Sequence, residues 1–120
     1  MSHTIEKSPE LIKVTYSDTL TNDDINGVIK NAVSNLEFTD RIEDMRKLEK
    51  VNIGFKELLF FTEGLQKMEL PHPVKSAILT GNTLQYGIAR MFQTILSHPQ
   101  MKIKVFTDEE EARSWILAGD

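Results

Sequence analysis

Thr80-Gly81-Asn82-Thr83 joins an apolar run, Val74–Thr80, to a periodic segment that begins at Asn82 or Thr83. In open α/β sheets, ligands sit beyond the carboxyl ends of strands, and a helix N-terminus offers free N–H groups to an anion. Gly81, Asn82 and Thr83 therefore form a candidate anion-binding turn. A single glycine is a far weaker signal than G-x-G-x-x-G or a P-loop, and an Asn cap alone accounts for the same residues. Tyr86 and Arg90 follow, one helical turn apart, on the side away from Leu84, Ile88 and Ile95. They offer a partner-binding patch, or a solvated face on which the tyrosine lies over the arginine stem. Phe60 is the third candidate. It points off the face that Phe55, Leu58, Leu59, Phe61 and Leu65 can share. It marks either a dimer, ligand or lipid contact, or an edge covered by a neighbouring loop or helix.

Catalytic groupings are missing. His3, His72 and His98 are far apart, with no H-x-x-x-H spacing, so no metal site is expected. No G-x-S-x-G elbow presents a serine for acyl transfer. Asp23-Asp24 and Asp108–Glu111 sit where helices begin, which suits the helix dipole better than acid–base chemistry. Asp18 and Asp44 supply fragments of a receiver-type phosphoaspartate site and no more. No cofactor motif is present, and the expectation is a non-enzymatic protein that acts by binding.

The elements that must position these residues alternate. Leu11–Tyr16 is β-branched and aromatic enough for a strand. Thr21 opens a helix, with Asp24 three residues on and an apolar stripe of Ile25, Val28, Ile29, Ala32 and Val33. Gly27 weakens that helix by about 1 kcal/mol relative to Ala, and close packing against a sheet would explain it. Ile42, Met45, Leu48 and Val51 recur every third residue, yet a sheet needs a strand between two helices. A short strand near Arg41–Met45 followed by a loop is expected there. A helix from about Gly54 to Met68 and a stiff Leu70-Pro71-His72-Pro73 connector come next. Val74–Thr80 and Lys102–Phe106 should be neighbouring parallel strands joined by a helix over Thr83–Ser97. In that helix, Leu84, Ile88, Met91 and Ile95 form the central stripe, widened by Ala89, Phe92 and Leu96. A last helix carries Thr107 and Glu110 as a capping box, Ala112, Trp115 and Ile116 facing inward, and Gly119 at its C-cap. Residues 1–10 are expected to be loose.

At 120 residues the chain suffices for one domain. Its net charge of −4, with no Lys/Arg cluster, argues against a nucleic-acid partner. It has no cysteine, hence no disulfide framework and no thiolate chemistry. The polar start lacks the apolar core of a signal peptide, and no run approaches the roughly 20 apolar residues of a membrane span. A cytoplasmic location is expected.

Tyr86, Gly87, Ala89, Arg90, Met91 and Phe92, then Val105, Phe106 and Asp108, then Trp115 and Ile116 form a pattern that resembles the SpoIIAA-like family, a branch of the STAS/SEC14-like group. The order of elements fits over Leu11–Ala118, and Asp44-Met45-Arg46 is similar to the D-L-R that often ends a central strand in that family. The resemblance implies an α/β domain of STAS-like type, with a four-stranded, mostly parallel sheet covered by four helices. It also implies kinship with anti-sigma-factor antagonists, which switch by phosphorylation of a serine in a D-S-S-G-like turn. That turn falls here near Asn52-Ile53-Gly54-Phe55, which has neither serine nor threonine. Within the group, binding of apolar ligands or membrane surfaces has been suggested. Two roles follow: a regulatory or protein-interaction module without the serine switch, and a carrier or sensor of an apolar small molecule or lipid. The expected partner is a protein, a second copy of the chain or an apolar molecule.

Overall fold

The computed structural model describes residues 3–34, 39–96 and 98–118. Ile29, Ala32 and Val33, whose side chains were expected on the first helical stripe, fall outside the described side chains, as do Phe61 and Gly119.

In chain order the elements are β1 His3–Lys7, β2 Ile12–Thr21, α1 Asn22–Ser34, β3 Arg41–Asn52, α2 Phe55–Gln66, β4 Val74–Leu79, α3 Thr83–Ile95, β5 Met101–Phe106 and α4 Glu109–Leu117. The five strands form one sheet in the order β1-β2-β3-β4-β5. β1 is antiparallel to β2, and all other neighbours are parallel. β4 and β5 pair in register from Val74↔Met101 to Leu79↔Phe106, as their strand-helix-strand pattern predicts.

The strand count is five rather than four, because residues 3–7 are not loose. They form an edge strand closed by a turn in which Ser8 N–H donates to the Leu11 carbonyl at 3.0 Å. Pro9 sits inside that turn, where a fixed φ suits the bend. The strand HTIEK is mostly polar because one edge of the sheet faces water, and periodicity was too weak to reveal it. β3 is also longer than expected and absorbs the loop assigned after Met45. Its second half, to Asn52, pairs with β2 through Thr21↔Asn52, with register shifts beside Ser17 and Asp18. Asp18 there has φ 59°, the left-handed conformation that aspartate tolerates at an irregular ladder.

The helices divide unequally. One core cluster joins Val14, Tyr16, Leu20, Met45 and Ile78 of the sheet to Val28 of α1, Leu58 of α2, and Ala89 and Phe92 of α3. The opposite face holds Ile42, Ala77 and Leu79 against Ala112 and Ile116 of α4. Three crossover helices on one side are what strands advancing in one direction require, since connections of one hand then all return over the same face.

Three helix readings need correction. The buried stripe of α3 is Gln85, Ala89 and Phe92, so Leu84 is about half exposed rather than central. Ala89 and Phe92 belong to the expected stripe, with Ile88, Met91 and Ile95 packed beside them, whereas the polar Gln85 does not. Gln85 is buried because its Nε2 donates to the Leu48 carbonyl while its Oε1 accepts from Gly81 N–H. On α2, Leu58 and Thr62 face inward, whereas Phe55 and Leu59 join Phe60 in solvent. Finally, α4 is capped by Asp108, whose carboxylate accepts from Glu110 N–H at 2.8 Å, not by Thr107.

Candidate functional site

Strand alternation puts Tyr16 of β2, Arg41, Glu43 and Met45 of β3, Ser76 and Ile78 of β4, and Ile103 of β5 on the face under α1, α2 and α3. These side chains do not fill the space below the helices. A cavity of about 90 Å³ remains, roofed by Ile25 and Val28 of α1, Thr62 and Leu65 of α2, Phe92 of α3 and Leu96 at the C-cap of α3. Its described lining is mainly apolar, and its polar groups converge on the start of β3. The narrow inward contact of α2 has the same cause, because part of that helix bridges the cavity instead of touching the sheet.

The polar end of the cavity is charged. Arg41 and Glu43 are each 13% exposed at the side chain, with Arg41 Nε 3.6 Å from Glu43 Oε1. That is an ion pair without a hydrogen bond. Tyr16 Oη donates to the other carboxylate oxygen at 2.8 Å. Burial pushes the Tyr16 hydroxyl well above its usual range, and the Glu43 charge pushes it further, so the phenol stays a donor. Arg41 Nε is fully buried and finds no acceptor among the described residues. Charged groups are rarely buried without partners, so this orphaned donor is the least satisfied feature of the interior.

A second polar cluster lies on the α4 side. Asp44 receives two hydrogen bonds from the Arg46 side chain, at 3.0 and 2.9 Å, and lies 3.7 Å from Lys13 Nζ. Glu109 of α4 accepts from Lys13, Arg46 and Arg113. Burial opposes ionisation of both acids, but these cations outweigh it and hold each carboxyl below its ordinary value. Acids and bases saturate one another here, so the cluster is a clasp between α4 and the sheet.

The sequence-derived candidates lie elsewhere, and none lines the cavity. Gly81, Asn82 and Thr83 join β4 to α3, and the N–H groups of Gly81 and Gln85 have internal partners. Asn82 accepts from Gln85 N–H at 2.9 Å, and Gln85 accepts from Gly81 N–H at 2.6 Å. Tyr86 is half exposed on α3. Arg90 is exposed one turn on and donates to Gln93 at 2.8 Å. Phe60 is 75% exposed on α2, beside Phe55 at 60% and Leu59 at 42%. The turn thus adjoins the Tyr86–Arg90 face, while Phe60 belongs to a separate helix. Asn52-Ile53-Gly54-Phe55 closes β3 and opens α2, and Gly54 N–H donates to Asn22.

Sequence reasoning passed over Tyr16, Arg41 and Glu43. A signal for two of them was present. A strand lying between two crossover helices is central, and a central parallel strand is covered on both faces. Arg41 and Glu43 alternate with Ile42 and Asp44, so two charged residues had to point under the helices whichever face was chosen.

The sequence profile of the family described as SpoIIAA-like matches residues 11–117. Among solved structures, an uncharacterised protein of the DUF3478 family from Shewanella loihica PV-4, described as having a SpoIIAA-like fold, superposes with a TM-score of 0.62. The two are 18% identical, and the match covers 95% of this chain and 91% of that one. That likeness shows the fold. No curated protein matches the chain.

Proposed function

Since this chain belongs to the SpoIIAA-like family, whose fold presents helices over a sheet, we propose that it acts by binding rather than catalysis, as a sensor or carrier of a small apolar molecule held over β3. The observation that carries this reading is the cavity between the sheet and α1–α3, apolar in most of its lining yet supplied with a few converging polar groups. Small-molecule sites have that character. The charged groups on the α4 side are mutually satisfied.

Native mass spectrometry of the full chain tests the reading. A retained small molecule, released on denaturation, is the expected result. The reading fails if the protein is bare and neither methyl resonances of the cavity nor the melting temperature respond to small apolar molecules.

A second reading concerns the output of binding. Phe55, Leu59 and Phe60 leave an apolar strip on α2 in solvent, on the helix whose inner side roofs the cavity. Exposed apolar groups of this kind suit a protein contact, so α2 is the element through which an occupied cavity would be reported to a partner. The phosphorylatable hydroxyl of anti-sigma-factor antagonists has no counterpart in Asn52–Phe55, and occupancy of the cavity takes the place of phosphate in this scheme. Peptide mapping after incubation with a kinase should find no phosphate on that turn. Thr21, whose strand register lies opposite Asn52, is the hydroxyl to inspect.

A further inference from the structure

We propose that Arg41 is the recognition group of the cavity and that it selects a small, uncharged molecule bearing one acceptor oxygen, a carbonyl or hydroxyl, on a short apolar chain. This rests on the reading of the cavity as a ligand site.

The first warrant is the donor. Arginine carries five N–H donors and no acceptor, and a donor buried without a partner costs stability. Arg41 Nε is buried at the cavity end and has no acceptor among the described residues. Glu43 does not supply one, because its nearer oxygen stands at 3.6 Å and its other oxygen is engaged by Tyr16. An oxygen arriving from the cavity would complete the coordination that the protein leaves open.

The second warrant is charge. Glu43 already balances Arg41 within the same apolar surroundings. A carboxylate or phosphate would place a second negative charge beside Glu43 in a poorly solvated space, where like charges repel strongly. A neutral oxygen accepts the hydrogen bond and leaves that balance unchanged. A hydroxyl could in addition donate to Glu43.

The third warrant is size. About 90 Å³ is smaller than the roughly 150 Å³ apolar cavity that takes up benzene. The occupant is therefore smaller than benzene, on the order of four or five non-hydrogen atoms, unless its chain continues outward between helices.

The test titrates the full-length protein, labelled at its methyl groups, with four probes of similar size: 2-butanone, 2-butanol, 2-methyl-1-butene and butyrate. Methyl shifts of Ile78, Ile103 and Met101 report occupancy. At least one oxygen probe should bind about tenfold more tightly than the alkene, which matches one hydrogen bond to a charged group. Arg41→Met should abolish that advantage while leaving alkene binding in place. Because removing Arg41 strands the Glu43 charge, Arg41→Met/Glu43→Gln is the second variant. The wild-type comparison of ketone with alkene needs no variant. Equal binding of alkene and both oxygen probes overturns the role of Arg41 but leaves the cavity as a ligand site. Tighter binding of butyrate overturns the selection of an uncharged molecule. Failure of all four probes to shift any of these methyls overturns this inference together with the reading it rests on.

Discussion

Tyr16, Arg41 and Glu43 are polar side chains on the helix-covered face of the sheet, and each has a distinct energetic position. Tyr16 and Glu43 are joined by a hydrogen bond, so Tyr16→Phe should cost about 1.5–3 kcal/mol, the range for a hydrogen bond to a charged group. A shift in the denaturant midpoint without a change in slope would confirm it. Phe60 is the opposite case. With three quarters of its surface already in water, Phe60→Asp should move stability by less than about 0.5 kcal/mol. Leu58→Asp, at a neighbour 1% exposed, should unfold much of the protein because it buries an unpaired charge. Thermal melts of the two variants separate surface from core, and sizing chromatography of Phe60→Asp shows whether association depends on that side chain. A melting temperature that collapses in Phe60→Asp would remove α2 as an exposed contact surface.

At the level of elements, Gly64 in α2 and Gly87 in α3 have nothing within 4 Å of where a Cβ would stand. Glycine inside a helix is unfavourable relative to alanine, so Gly64→Ala and Gly87→Ala should each stabilise the fold by about 0.5–1 kcal/mol. Gly27 is different in kind, since a Cβ there would meet His3 of β1 at 3.5 Å, an ordinary contact and not the tight approach that its place in the first helix suggests. Much of this level was legible in the sequence. The apolar run Val74–Leu79, the Asn82 cap and the charged first turn of α4 each have a local cause, and each appears where that cause acts. What escaped had a non-local cause. Lys47, Glu49 and Lys50 make the second half of β3 look like a loop, and only pairing with β2 holds it extended. Gln85 reads as surface until Leu48 and Gly81 are brought to it. The cavity was illegible for the same reason: whether a helix touches a sheet or bridges a gap depends on side chains from seven elements at once. Gln85→Met keeps the volume but strands a buried carbonyl and a buried N–H, so a loss of about 2 kcal/mol is expected in urea unfolding.

For the whole molecule, acid is the informative perturbation. Asp24, Asp44 and Glu109 are all held below their ordinary values despite burial: Asp24 by His3 and Thr21, Asp44 by Arg46 and Lys13, and Glu109 by Lys13 and Arg113. A carboxyl with a lower value folded than unfolded contributes stability that is present above its unfolded value. That contribution is lost as pH falls through the folded one. The melting temperature should therefore hold steady from neutral pH to about 5 and fall steeply below about 4, where unfolded carboxylates take up protons. Asp24→Asn should flatten part of that fall and loosen β1, since His3 of the edge strand is its partner. Amide exchange along residues 3–7 would register the loosening. No helix among the described residues is long and apolar enough to cross a membrane. The order of the sheet has one more consequence. Strand order is chain order, so every strand after the first docks on the one made just before it. A ribosome delivering this chain releases β2 with its β1 partner already in hand, and then each helix-strand unit onto an edge that is waiting for it. Growth in the direction of synthesis needs no late insertion of a strand into a finished sheet. β5 docks last, and among the described residues no strand pairs with its outer side.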